Sequence, residues 1–162
     1  MKKIICALLS LVLLCSCSFK ENVRVVNRGL SYKAHIFCLD KEYNILCNVS
    51  EQGAEYSVID GQIKGLKATV NKEGIKVSFE NLEKDIKSRN MSVFSVLYDI
   101  TEFFDRDDYK TERNGGNYVA EGETYFGKFR YLLTPSGLPI SVNFEKGDFS
   151  AQFYDVTLKK AK

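Results

Sequence analysis

The chain has 162 residues, 44% apolar and 27% charged, with 11 Gly, 2 Pro, 5 Cys and no Trp, a balance that excludes collagen-like, low-complexity and disordered chains and fits one globular domain. Its formal charge of +2 comes from Lys2 and Lys3 alone, since 21 of the 23 basic residues remain without them, against 21 acidic ones. A body of zero net charge has no overall field to gather polyanions, which argues against nucleic acid as a partner.

The first element, residues 1–16, reads as a lipoprotein signal peptide. Lys2 and Lys3 precede a dominantly apolar run from Ile4 to Leu14, roughly 16 Å if helical and too short for the ~30 Å hydrocarbon core. Leu14-Cys15-Ser16-Cys17 then looks like the lipobox of bacterial lipoproteins: an aliphatic residue, two small ones and the cysteine that receives a diacylglycerol group. Cys17 is therefore the expected lipidation site. Cys15 fits less well, because bulky Leu14 would stand where a small side chain is needed. Two acyl chains anchor stably, so the expected location is the outer face of the cytoplasmic membrane, or the outer membrane of a two-membrane cell. Residues 17–29 carry no periodic pattern and are expected to form a flexible tether ahead of one domain, 30–162.

From Leu30 onward the period is two. Tyr32, Ala34, Ile36 and Cys38 share a face, as do Tyr43, Ile45, Cys47 and Val49. Ile75, Val77 and Phe79 alternate with polar neighbours, and Leu138, Ile140, Val142 and Phe144 repeat the pattern. The last run, Phe149, Ala151 and Phe153, changes phase to Val156 and Leu158, which predicts a bulge at Tyr154-Asp155. Turn chemistry falls between the runs, as at Asp60-Gly61, Asn114-Gly115-Gly116 and Lys146-Gly147-Asp148. About nine half-buried antiparallel strands are expected. One segment departs from this pattern. From Ser92 to Asp105, Val93, Val96, Leu97, Ile100, Phe103 and Phe104 recur at three- and four-residue steps behind a cap at Ser92 or Asn90, an amphipathic helix of about four turns. With no second helix to cover its stripe, the expected fold is mainly β (α+β), a curved antiparallel half-barrel wrapped over one helix.

This order of elements resembles the half-barrel family of the lipoprotein-localisation carrier LolA and its lipid-anchored receptor LolB. More closely, it resembles Gram-positive lipoproteins of that fold, including the spore-germination lipoproteins called GerS. The resemblance spans about Tyr32 to Leu158. It is carried by Gly65-Leu66 and the strand after it, by Gly74 to Leu82, by the helix, and by Gly127 to Phe144 with Leu132-Leu133 and Gly137-Leu138-Pro139. It implies a non-enzymatic, membrane-anchored protein with a protein partner in the envelope, in one version a cell-wall amidase acting on spore cortex. The same fold implies, alternatively, a carrier or receptor for acyl chains or lipoproteins.

No catalytic residue is expected. His35, the one histidine, stands opposite Ala34 and Ile36 and lacks any nucleophile motif. No Cys-x-x-Cys or His-x-x-x-His pattern offers a metal site and no glycine motif offers a phosphate loop, so neither metal nor cofactor is expected. The acidic run Asp105 to Asp108 lacks the glycine and terminal Glu of a calcium loop. Cys38 and Cys47 lie on the apolar faces of consecutive strands. A two-residue connection is expected to set them opposite, within disulfide range, and a four-residue one diagonal, so a disulfide and two buried thiols stand as equal alternatives. Aromatic residues crowd the final strands, as core filling or as the lining of an acyl cavity. Ile63, Leu66, Phe94, Leu97, Phe129 and Tyr131 are the candidate cavity or partner contacts.

Overall fold

The computed structural model describes residues 22–86, 93–106 and 108–159. Strands β1 (Leu30–Cys38), β2 (Lys41–Ser50), β3 (Gly53–Val58), β4 (Lys67–Asn71), β5 (Gly74–Phe79) and β6 (Leu82–Ile86) precede α1 (Val93–Phe104). Strands β7 (Thr111–Asn114), β8 (Asn117–Thr124), β9 (Gly127–Leu133), β10 (Pro139–Phe144) and β11 (Phe149–Leu158) follow it. Every pairing is antiparallel, in the order β6-β5-β4-β3-β2-β1-β11-β10-β9-β8-β7. The two halves of the chain are meanders joined where β1 meets β11.

The expected fold class holds, with eleven strands rather than about nine. The outermost strands explain the difference. β6 (LEKDI) and β7 (TERN) are short, charged and almost wholly exposed, so no apolar alternation marks them. Such edges also resist pairing with other chains.

The helix forces the sheet to curve. α1 touches β3, β4 and β8. β3 and β8 stand six places apart in the strand order, roughly 29 Å if the sheet were flat, whereas a helix with side chains is about 10–12 Å wide. Only a sheet bent around α1 reaches it from both sides. The expected helix is present with twelve residues, just over three turns; its expected caps, Asn90 and Ser92, lie outside the described residues. The bulge also stands as expected. Between Ser31 and Lys33 the β1–β11 register shifts by one residue, and Asp155 takes φ 52 there, with its carboxylate 2.9 Å from Lys33 Nζ.

Of the two alternatives for the cysteines the structure has the thiols: Cys38, half-buried, and Cys47, buried, are both free. The two-residue turn Leu39-Asp40, with φ 49 and 61, pairs Cys38 with Lys41 and sets Cys47 opposite Tyr32. Six residues of strand, roughly 20 Å, therefore separate the cysteines, and a disulfide would require a different register. The expectation of a flexible tether is corrected for its described part. Residues 22–29 form a strap against the domain, with Val25 only 3% exposed. The Val23 N–H donates to Thr111 Oγ1 at 2.9 Å, that of Val25 to the Tyr109 hydroxyl at 2.7 Å, and that of Val26 to the Gly137 carbonyl at 2.9 Å. Gly137 has φ +79, and a Cβ there would run into the Arg24 carbonyl; only glycine lets the strap lie so close.

Candidate functional site

The centre of the half-barrel is filled. Tyr32, Phe153, Tyr131, Phe104, Phe129 and Phe103 form a continuous chain of rings with centroids 5.1 to 5.9 Å apart. Phe129 packs in turn on Phe144, and Phe144 on Phe149. Most of these contacts are edge-to-face or tilted, as aromatic quadrupoles favour. Of the six candidate contacts, Leu97, Phe129 and Tyr131 are 3%, 2% and 8% exposed; they belong to this core. Gly122 fits the same packing, since a Cβ there would lie 2.5 Å from the Phe103 ring and 2.7 Å from that of Phe129.

The other three candidates, Ile63, Leu66 and Phe94, come together at one end of the half-barrel. They line an apolar pocket of about 300 Å³ with Cys38, Leu39, Lys41, Tyr43, Ile45 and Val93. Strand β2 supplies Lys41, Tyr43 and Ile45, and three further pieces complete it. The tight β1–β2 turn supplies Cys38 and Leu39. The β3–β4 connection brings in Ile63 and Leu66, held by Gly65 N–H donating to the Val58 carbonyl and Leu66 N–H to that of Ile63. The first turn of α1 supplies Val93 and Phe94. Leu39 is 56% exposed and Ile63 36%, so the rim is apolar as well as the wall. On the other side of Leu39, Val96, Phe126, Phe144 and Phe149 border a second space of only about 30 Å³. The pocket stands at the lower bound of ordinary ligand sites, ~300 to 1,000 Å³.

Beneath the pocket lies a buried polar row. Phe94 packs on Tyr56 with ring centroids 5.3 Å apart, and Tyr32, Cys47 and Tyr56 stand opposite one another on β1, β2 and β3. Burial pushes the Cys47 thiol up to about 12 and the Tyr32 and Tyr56 phenols well above their usual range, so all three stay protonated at neutral pH. The phenols lie against the thiol, but Tyr56 Oη has no hydrogen-bond partner of regular geometry. Cys38, at the pocket wall, is also raised, by burial first and then by Asp148. Neither thiol has the depressed pKa of a nucleophile.

At the opposite end of α1 the strap is clamped. Arg28 is ion-paired with Glu102 and Asp105 and donates to the Ser50 carbonyl at 2.9 Å. Asn27 bonds Asp105 and the Thr101 carbonyl. Burial alone would lower the Arg28 pKa, but the two carboxylates outweigh it and hold the guanidinium firmly charged. Sequence reasoning missed this strap, and also Val93 and Leu39 as pocket residues.

His35 occupies the outer face, where Nδ1 lies 3.0 Å from Asn44 Oδ1 and Nε2 3.8 Å from Glu42. Asn44 in turn donates to Asp60 at 2.6 Å. Among the described residues no hydroxyl or thiol is bonded to His35, and its contacts are Asn44 and Glu42. Among the described residues no group of three or more His, Cys, Asp or Glu is placed to hold a metal ion. A larger cleft of about 620 Å³ lies beside β7, lined by Asp108, Glu112 and Glu121 against Lys110, Arg113 and Arg130. Its charges balance, so no single ligand charge is favoured there. No described helix is long and apolar enough to cross a membrane.

No protein-family model matches the sequence, and no curated protein matches it. Among solved structures, the chain is similar to a LolA superfamily protein from Nitrosomonas europaea at 10% identity, covering 86% of this chain and 90% of that one with a TM-score of 0.46. It is also similar to a DUF1329 family protein from Desulfovibrio piger, at 11% identity, 83% and 88% coverage and the same TM-score. Likeness at this level transfers no ligand or activity.

Proposed function

We propose that this chain is a non-enzymatic, lipid-anchored envelope protein that binds another protein through the apolar pocket at the end of its half-barrel. The observation that carries the reading is the placement of apolar space: the interior is packed with rings, and the larger of the two apolar openings described above is the pocket walled by Leu39, Ile45, Ile63, Leu66 and Phe94. Interface hot spots have this form, an apolar socket that takes one or two anchoring side chains out of water. The charged edges of β6 and β7 make strand addition the poorer route. The anchor rests on the Cys17 lipobox.

The test is affinity purification of the lipidated protein from its own membranes, beside Ile63→Asp and Leu66→Asp variants. A partner recovered with the parent chain and lost with both variants is expected. No protein above background would contradict the reading. A cell-wall amidase, suggested by the germination-lipoprotein resemblance, is one protein to look for.

A second reading uses the same pocket for the acyl chain of a lipid or lipoprotein, and the exposed apolar rim at Leu39 and Ile63 favours it. Saturable binding of a fluorescent fatty acid, abolished by Leu66→Asp, would select this reading over the first.

A further inference from the structure

The strap and the pocket stand at opposite ends of the domain. The strap leads into Leu30 and is bonded to Thr101, Glu102 and Asp105 at the end of α1, to Ser50 at the end of β2 and to Gly137 in the β9–β10 turn. The pocket is walled by Cys38 and Leu39 at the far end of β1 and by Val93 and Phe94 at the start of α1. The nine residues of β1 lie between the two, roughly 27 Å of strand. Only four residues, 18–21, separate Cys17 from the strap, and the five Cα steps from Cys17 to Asn22 span at most ~18 Å. The attachment is thus much shorter than the tether expected from sequence, and it enters the domain at a fixed place.

We infer that the clamped end faces the anchoring membrane and that the pocket end is presented away from it, as a docking face for a protein that lies off that membrane. This rests on the reading of Cys17 as the anchor. The lipids of the anchoring bilayer are then the wrong source for an occupant of the pocket, because they meet the strap end first. Beyond the apolar rim, the end of the domain that holds the pocket carries exposed charges of both signs: Lys41 in the pocket wall, Lys146 and Asp148 beside the adjoining small space, and Asp40 and Lys64 in the turns that supply Leu39 and Ile63. Surfaces that settle on anionic headgroups are instead clusters of basic residues, whereas charges of both signs around an apolar centre are the anatomy of a protein interface.

The absence of tryptophan from the chain makes the orientation measurable. The full lipidated protein is reconstituted into phosphatidylethanolamine/phosphatidylglycerol vesicles carrying a dansyl-headgroup lipid, with one tryptophan placed by Glu51→Trp at the clamped end, or by Leu39→Trp or Ile63→Trp at the mouth. Energy transfer to the dansyl headgroups is expected to be several-fold stronger from the Glu51→Trp variant than from either mouth variant. Transfer from both mouth variants as strong as from Glu51→Trp would overturn the orientation and make the anchoring bilayer the occupant's source. Weak transfer from all three, in protein that still sediments with the vesicles, would overturn the short clamped attachment. Protein that fails to sediment would overturn the anchor itself, and with it the orientation, while leaving the pocket's affinity for a protein to be read from the purification above.

Discussion

Cys38 and Cys47 show how position decides what a side chain can do. Both have the same intrinsic chemistry, yet one lies at a pocket wall and the other beneath packed rings. Only deprotonated thiol reacts, and burial holds Cys47 near 12 against an ordinary 9.0. Alkylation of the native protein with iodoacetamide is therefore expected at Cys38, slowly, and at Cys47 only once the domain opens. Equal rates at the two would contradict the packing. The shift also has a consequence for stability. A raised pKa means that the folded form binds its proton more tightly, so the contribution is complete below pH 9 and is lost as pH rises toward 12. Tyr32 and Tyr56 shift the same way for the same reason, and the domain is expected to lose stability steeply on the alkaline side, without a matching loss near neutrality.

Among the elements, the strap is one whose place is set by single side chains far away in sequence. Its backbone donors end on Thr111 and Tyr109, 88 and 84 residues away, and nothing in the segment from Asn22 to Gly29 foretells them. Patterns of period two and 3.6 were legible because they repeat locally; a single clamp at Arg28 does not repeat. The helix was legible for the opposite reason, with Val96, Leu97, Ile100 and Phe104 forming one stripe that the structure buries. The choice between disulfide and free thiols stayed open in the sequence because the turn lacks turn chemistry: Leu39 takes a positive φ that its sequence does not announce, and the register followed from it. Arg28→Ala is expected to cost about 1–2 kcal/mol in denaturant unfolding, mostly through Glu102, since Asp105 is more exposed to solvent. For Asp105, burial works to raise the pKa, but Arg28 outweighs it and holds the carboxyl below its ordinary 3.8. That part of the clamp is present above pH 3.8 and is lost as pH falls through the lowered value. The variant should lack this acid-sensitive component, and an unchanged acid limb would show that the clamp contributes nothing.

For the molecule as a whole, the division between filled and open interior is what ties fold to function. One helix inside a curved sheet leaves space wherever its side chains run short. At the C-terminal end of α1, Phe103 and Phe104 meet Phe129 and Tyr131 and close that space. At the N-terminal end, Val93 and Phe94 face Cys38, Leu39 and Ile45 with no ring between them, and the pocket remains. The candidate residues were thus half legible: the sequence marks Phe129 and Tyr131 as apolar and inward but cannot say that other rings already occupy their surroundings. The most direct measurement is a crystal of the domain under xenon pressure, since xenon enters dry apolar cavities. Xenon is expected beside Ile45, Leu66 and Phe94 and nowhere among Phe104, Phe129 and Tyr131. Xenon lodged among those rings, or none at the pocket, would contradict the account.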